Sequence, residues 1–440
     1  MMRGVLLGLM LVASVVSAQE QDDFIEFDTS GNVDDPDLVR GVRAVAERVG
    51  ALRGMTLDVP PNAIRAPREL RAVAAKIRVA SSIDLDQLEA RGRAWQDIGL
   101  GSAASATWLY QVVAEDIDGF TPDTVGHRIM ADPERLTSED FAYKEGEEDS
   151  PALSLLMATG LRPDEPIIAH VLVHLLQIER DGHAALPATT DALLADRAWN
   201  EGEANIVAGR FLFDSIGVEI DALGPGLDIG NVLEGRLVTP ALARNIGAER
   251  DMLAWIYLDG FDQAVGVYRR GGWAALSDAM RTRRTTRDIV HLDRPPIETS
   301  VFETPSSGLS GEFELIDQDM IGEAAIGILV SQRTGKVNLG LICADGWAGD
   351  ALFRWERPSD REGVTLWVTR WVSDGEAADF EYGYLRALER WTGGVAPEPE
   401  EGATGRRFSI EDRSIHVTRE GREVRVRVSS AAPEPPGKGP

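Results

Sequence analysis

The stretch Glu165-Pro166-Ile167-Ile168-Ala169-His170-Val171-Leu172-Val173-His174-Leu175-Leu176-Gln177-Ile178-Glu179 decides how this chain is read. Asp164 precedes it as a candidate cap, and Pro166 sits in the first turn, where a missing N–H costs nothing. The spacing of the apolar residues predicts an amphipathic helix over 165–179. At 100° per residue, His170 and His174 fall about 40° apart on one face, so both imidazoles can reach an ion about 2 Å from each nitrogen. Two core histidines would give the same spacing, so the pair needs support from elsewhere.

That support lies in the next helix, predicted over 190–213 and ended by Gly217. There Asn200-Glu201-Gly202-Glu203-Ala204 sets carboxylates among Leu193, Leu194, Ala198, Ile206 and Val207. A half-buried carboxylate costs several kcal/mol unless it is paired or bound to a cation. Glu201 therefore fits as a third ligand. Glu203 points about 200° away from it, so one of the two is expected to face water.

Composition narrows the chemistry. The 440 residues carry 72 acidic and 45 basic side chains, a net charge of −27, which excludes a phosphate-backbone binder as the default reading. One cysteine, Cys343, allows no intramolecular disulfide, redox pair or Cys-rich zinc site, so a metal would be held by His, Asp or Glu. Lying in the apolar run 337–343, it reads as a buried strand residue. No Gly-x-Ser-x-Gly, P-loop or dinucleotide fingerprint sits in its required context.

Outward from the helix pair, residues 1–18 read as a secretory signal peptide cleaved after Ala18, followed by a flexible acidic leader over 19–36. Cleavage removes Arg3 and no acid, taking the charge from −27 to −28. The expected product is secreted or periplasmic, without a membrane anchor. The text over 37–97 reads as helical, with Leu38, Val42, Val45 and Val49 at helical spacing, and further helices are predicted over 68–79, 85–98 and 250–269, the last stopping before Gly271-Gly272. Short strands are expected at 55–59, closed by Pro60-Pro61, and at 127–130, with a turn at 119–123 and an acidic loop at 139–150. Beyond Pro295, Val364, Leu366 and Val368 alternate with Thr365, Trp367 and Thr369 as in a half-buried strand. A helix over 376–391, a linker over 397–401 and a hairpin of 406–418 with 423–428 across Glu420-Gly421 follow. The Pro-rich tail over 431–440 reads as disordered.

The run Ala169-His170-x-x-x-His174-Leu175-Leu176-Gln177, with Glu201-Gly202-Glu203-Ala204 after it, resembles a family of exported bacterial zinc metallopeptidases of the gluzincin type. That family carries A-H-E-x-x-H-A-L-Q and, on a later helix, E-G-D-A. Arg53-Gly54, Gly119-Phe120-x-Pro122, Tyr257-x-x-Gly260-Phe261, Gly271-Gly272-Trp273, Thr285-Thr286-x-Asp288-Ile289-Val290-His291 and Gly346-Trp347-Ala348-Gly349-Asp350 resemble its other short motifs in the same order.

The resemblance implies an α+β chain. A zincin-like domain over 37–300 with long active-site helices is followed by a C-terminal α+β segment over 301–395 and a terminal β-hairpin over 396–430. It implies Zn2+ held by His170, His174 and Glu201, with Glu203 or Asn205 orienting an imidazole from behind. Tyr257 and His291 are implied as oxyanion or substrate partners, and a peptide or protein as the ligand. The departure is Val171, which stands where the family has the glutamate that takes a proton from zinc-bound water. Valine has no proton to exchange, and losing a general base costs about 10²- to 10⁴-fold in rate. The expectation is therefore a catalytically impaired homologue. The alternatives are a peptidase using another base, or, if Glu201 is exposed, a structural or binding protein without metal.

Overall fold

The computed structural model describes residues 36–58, 60–115, 120–123, 128–131, 161, 165–181, 185–215, 217, 247–305, 312–394, 398–399, 405–410 and 413–430. The signal peptide, nearly all of the acidic leader, the loop over 139–150, the tail over 431–440, His127 and His183 lie outside them.

The first half is mostly helical: α1 (Pro36–Arg53), β1 (Asn62–Arg65), α2 (Arg68–Ser82), α3 (Leu85–Ile98), α4 (Ser105–Glu115), β2 (Phe120–Asp123), β3 (Arg128–Ala131), α5 (Glu165–Asp181) and α6 (Thr190–Asp214). Then come α7 (Ala248–Ala254), a π-helical turn (Trp255–Asp259), α8 (Gly260–Thr282) and α9 (Thr286–Val290). The second half runs β4 (Glu314–Asp319), α10 (Gly322–Thr334), α11 (Val337–Ala344), β5 (Trp347–Glu356), β6 (Gly363–Trp371), α12 (Asp374–Trp391), β7 (Glu398–Pro399), β8 (Arg406–Ile410), β9 (Arg413–Glu420) and β10 (Glu423–Ser430).

A small sheet β1-β3-β2 packs against α5, while seven strands form a second sheet in the order β4-β5-β6-β10-β9-β8-β7, every pair antiparallel. The chain is thus mixed α+β. The β9–β10 hairpin is joined to β6 along a register that includes Val426↔Trp367. None of the helices formed by the described residues is long and apolar enough to cross a membrane.

Several expectations need correcting. The strand expected over 55–59 forms instead at Asn62–Arg65, after the prolines. Proline has no N–H for a ladder, and Met55 is spent closing α1, its N–H donating to Gly50 O at 3.0 Å beside Gly54 at φ 74°. The turn expected at 119–123 includes a strand, with Phe120 paired to Ala131. Residues 337–343 are helix rather than strand, because a short apolar run carries no period that separates the two. The stop expected at Gly271-Gly272, by contrast, is found: both glycines leave the helical region (φ −159° and 62°), so α8 is two helices that meet at a kink there. The stretch 406–418 is two strands, and α4 was not expected at all.

One apolar core runs through both halves, from Leu38 on α1 to Val428 on β10. Buried charges stitch the halves together across it. Arg91 of α3, fully buried, donates to Asp317 of β4 at 2.9 and 3.1 Å and to Tyr110 Oη at 2.7 Å. Arg354 of β5 meets Asp97 of α3 at 2.6 Å. Asp350, last residue of the Gly-Trp-x-Gly-Asp stretch, accepts from the Ile321 and Gly322 N–H groups at 2.8 and 2.9 Å and from Trp347 Nε1 at 2.8 Å, so it holds the start of α10. Gly322 is required there. Its φ is 83°, and a Cβ would lie 1.9 Å from Asp191 Oδ1.

Candidate metal centre

Helices α5 and α6 lie against each other, and their apolar positions bring the few polar ones together. His170 Nε2, His174 Nε2 and Glu201 Oε2 form a triangle with edges of 3.1 Å between the imidazoles, 3.1 Å from His170 to Glu201 and 3.5 Å from His174 to Glu201. Tetrahedral ligands at 2.0–2.1 Å from zinc have edges of about 3.3 Å. The three ligands expected from sequence are therefore brought together at a spacing that one ion can span, and all three are buried.

A hydrogen-bond relay fixes the chemical state of His174. The Gln177 amide donates through Nε2 to Asn200 O and to Glu203 Oε2, both at 2.9 Å, which turns its Oε1 toward His174. Only the His174 Nδ1–H can satisfy that oxygen, at 2.8 Å, so Nδ1 carries a proton and Nε2 is the nitrogen turned toward the triangle. Burial alone would push the Glu201 carboxyl up, but the positive charge of a protonated His174, then Arg197 and the bond to His170, hold it well below the usual carboxylate range, and a bound cation would take the place of that proton. The second nitrogen of His174 and the anionic Glu201 thus converge with His170 among buried side chains.

Two features work against a cation. Arg197 Nη2 donates to the other Glu201 oxygen at 2.8 Å, and His170 Nδ1 is buried with no hydrogen-bond partner. An orphaned donor costs about 1–3 kcal/mol, small beside the roughly 10–16 kcal/mol that a structural zinc returns.

Glu203 does not face water, as one of the two glutamates was expected to. It is as buried as Glu201, because two guanidiniums neutralise it: Arg53 through Nε and Arg180 through Nη1 at 2.9 Å. Arg53 also stacks over Trp273 at 4.5 Å and bonds Ser277 Oγ at 2.8 Å, so the Arg53-Gly54 and Gly-Gly-Trp stretches meet at Glu203. Its effect on His174 runs through Gln177. Gly202 between the glutamates lets α8 approach, since a Cβ there would lie 2.5 Å from Ala264 Cβ.

The other expected residues are placed differently. Asn205 is buried on α6, but its Oδ1 has no partner, so it orients no imidazole through that atom. Tyr257 is buried in the π-helical turn, which packs against α6. His291 joins a separate group, with Nε2 2.6 Å from Glu323 Oε1 and 3.5 Å from Asp345 Oδ1. Val171 is fully buried in the apolar core. Gln177, Arg180 and Arg197 were missed, although Gln177 and Arg197 stand three and four residues from a ligand, within reach along their helices.

Beside His174 a void of about 30 Å³ is lined by Gln177, Asn200, Arg197 and Asp181 among others, room for about two waters and far below the roughly 300–1,000 Å³ of a substrate cleft.

Residues 312–435, from just before β4 to beyond β10, match the family model described as a domain of unknown function, DUF8575. No curated protein and no solved structure matches the chain.

Proposed function

We propose that this chain is an exported zincin-like metalloprotein that holds one zinc ion with His170, His174 and Glu201 in a closed site and does not hydrolyse peptides. The observation that carries the reading is the Gln177 relay, which holds a proton on His174 Nδ1 and leaves Nε2 facing an anionic Glu201 across 3.5 Å. Zinc bound there would supply Lewis acidity and a cross-link between α5 and α6. The chain's own residues supply orientation through Gln177 and Glu203, and counter-charge through Arg197. Val171 offers no base, and the void admits water but no peptide.

Metal analysis of the purified chain tests this. About one equivalent of zinc is expected, lost in His174→Ala, with no chelator-sensitive cleavage of casein. Cleavage that a chelator stops would overturn the closed, non-hydrolytic reading. The Arg197–Glu201 pair favours a second reading, a metal-free polar core that locks α5 to α6, and well under a tenth of an equivalent in both proteins would establish it.

A further inference from the structure

The face of the seven-stranded sheet turned away from Val424, Val426 and Val428 is divided by chemistry. On β8, β9 and β10 the register places Arg407 opposite His416 and His416 opposite Arg427, a row of basic side chains across three adjacent strands, with Arg425 two residues from Arg427. On β6 and β5 the same row continues as Leu366 opposite Arg427 and Phe353 opposite Leu366, flanked by the pair Val364 and Trp355. Basic groups directly across strands disfavour one another when both are charged, and this chain has acids in excess to separate them. Arg425 is partly neutralised by Glu423 at 2.6 Å, but exposed Arg427 makes no ion pair among the described residues. Over the seam where the two halves meet opens a depression of about 440 Å³, lined by Trp355, Val364, Leu366, His416, Arg425 and Arg427 among others. That volume is in the range of small-molecule sites.

We propose that this depression binds a small amphipathic organic anion, its apolar body on Trp355, Val364 and Leu366 and its carboxylate between Arg427, Arg425 and His416. The site lies within the DUF8575 match and is independent of the metal centre. Charge complementarity selects the ligand: an apolar floor alone would take any alkyl chain, whereas the basic row adds a preference for a negative head. Among the described residues, exposed apolar side chains gather on α11, at Val337, Leu341 and Ile342, and that patch serves as the control.

Titration calorimetry of the full chain at low salt with octanoate, octanol and octylammonium tests the proposal. Saturable one-to-one binding of octanoate is expected, at least tenfold weaker binding of octanol, and no binding of octylammonium. Arg427→Gln should weaken octanoate at least fivefold and leave octanol unchanged; Arg425→Gln should act the same way more mildly, and Leu341→Ser should change nothing. The proposal is overturned by equal affinity for octanoate and octanol, by octanoate binding that neither arginine variant weakens or that Leu341→Ser abolishes, or by no binding of octanoate.

Discussion

Two clusters in this protein use the same residue types and differ in what surrounds them. Around His170, His174 and Glu201, an amide relay holds a proton on His174 Nδ1 and turns Nε2 inward. Around His291, Glu323 and Asp345, the imidazole Nε2 lies 2.6 Å from Glu323, close enough for a proton to be shared, and Arg294 takes Asp345 at 2.7 Å. The Arg294 hydrogen bond holds the Asp345 carboxyl below its ordinary value, while burial pushes Glu323 up against the pull of His291. A cation entering the second cluster would have to draw Asp345 from Arg294 and break the His291–Glu323 bond. Ligand identity alone does not make a metal site; the protonation state imposed by the neighbours does.

The comparison can be broken by substitution. Glu201→Ala should have the largest effect, abolishing zinc binding and costing about 3–5 kcal/mol in urea unfolding, because the buried pair with Arg197 is broken. Gln177→Ala should lower zinc affinity by about 10- to 100-fold in chelator competition, since the His174 tautomer is no longer fixed. His291→Ala should leave the zinc content at one equivalent; a fall to zero would mean that the second cluster, not the first, is the metal centre. Asp345→Asn should cost at most about 1 kcal/mol, because the pair with Arg294 is about half exposed. That cost belongs to a carboxyl whose folded pKa is depressed. It is present in full above the unfolded value of about 3.9 and disappears as the pH falls through the folded value.

What could be read from sequence was whatever a single period fixes. The 3.6-residue repeat sets His170 and His174 on one face whatever packs against them, and the apolar text around Glu201 shows that its helix is buried. The fate of Glu203 was not legible, because it depends on Arg53, 150 residues away, and on Arg180 on the facing helix. The same limit applies to the residues 337–343, whose hydrophobicity says that they pack but not with which backbone. It applies again to His291, whose partner Glu323 stands on an element with no pattern in common with it.

The buried bond between Arg91 and Asp317 bears on what the segment 312–435 can be by itself. That segment matches a family model as a unit, yet inside it Asp317 and Arg354 are completed by Arg91 and Asp97 of α3. Excised at residue 312, it would present both charges to solvent along with the apolar surface around them. The edge of the matched stretch is therefore not an edge of the packing in this molecule.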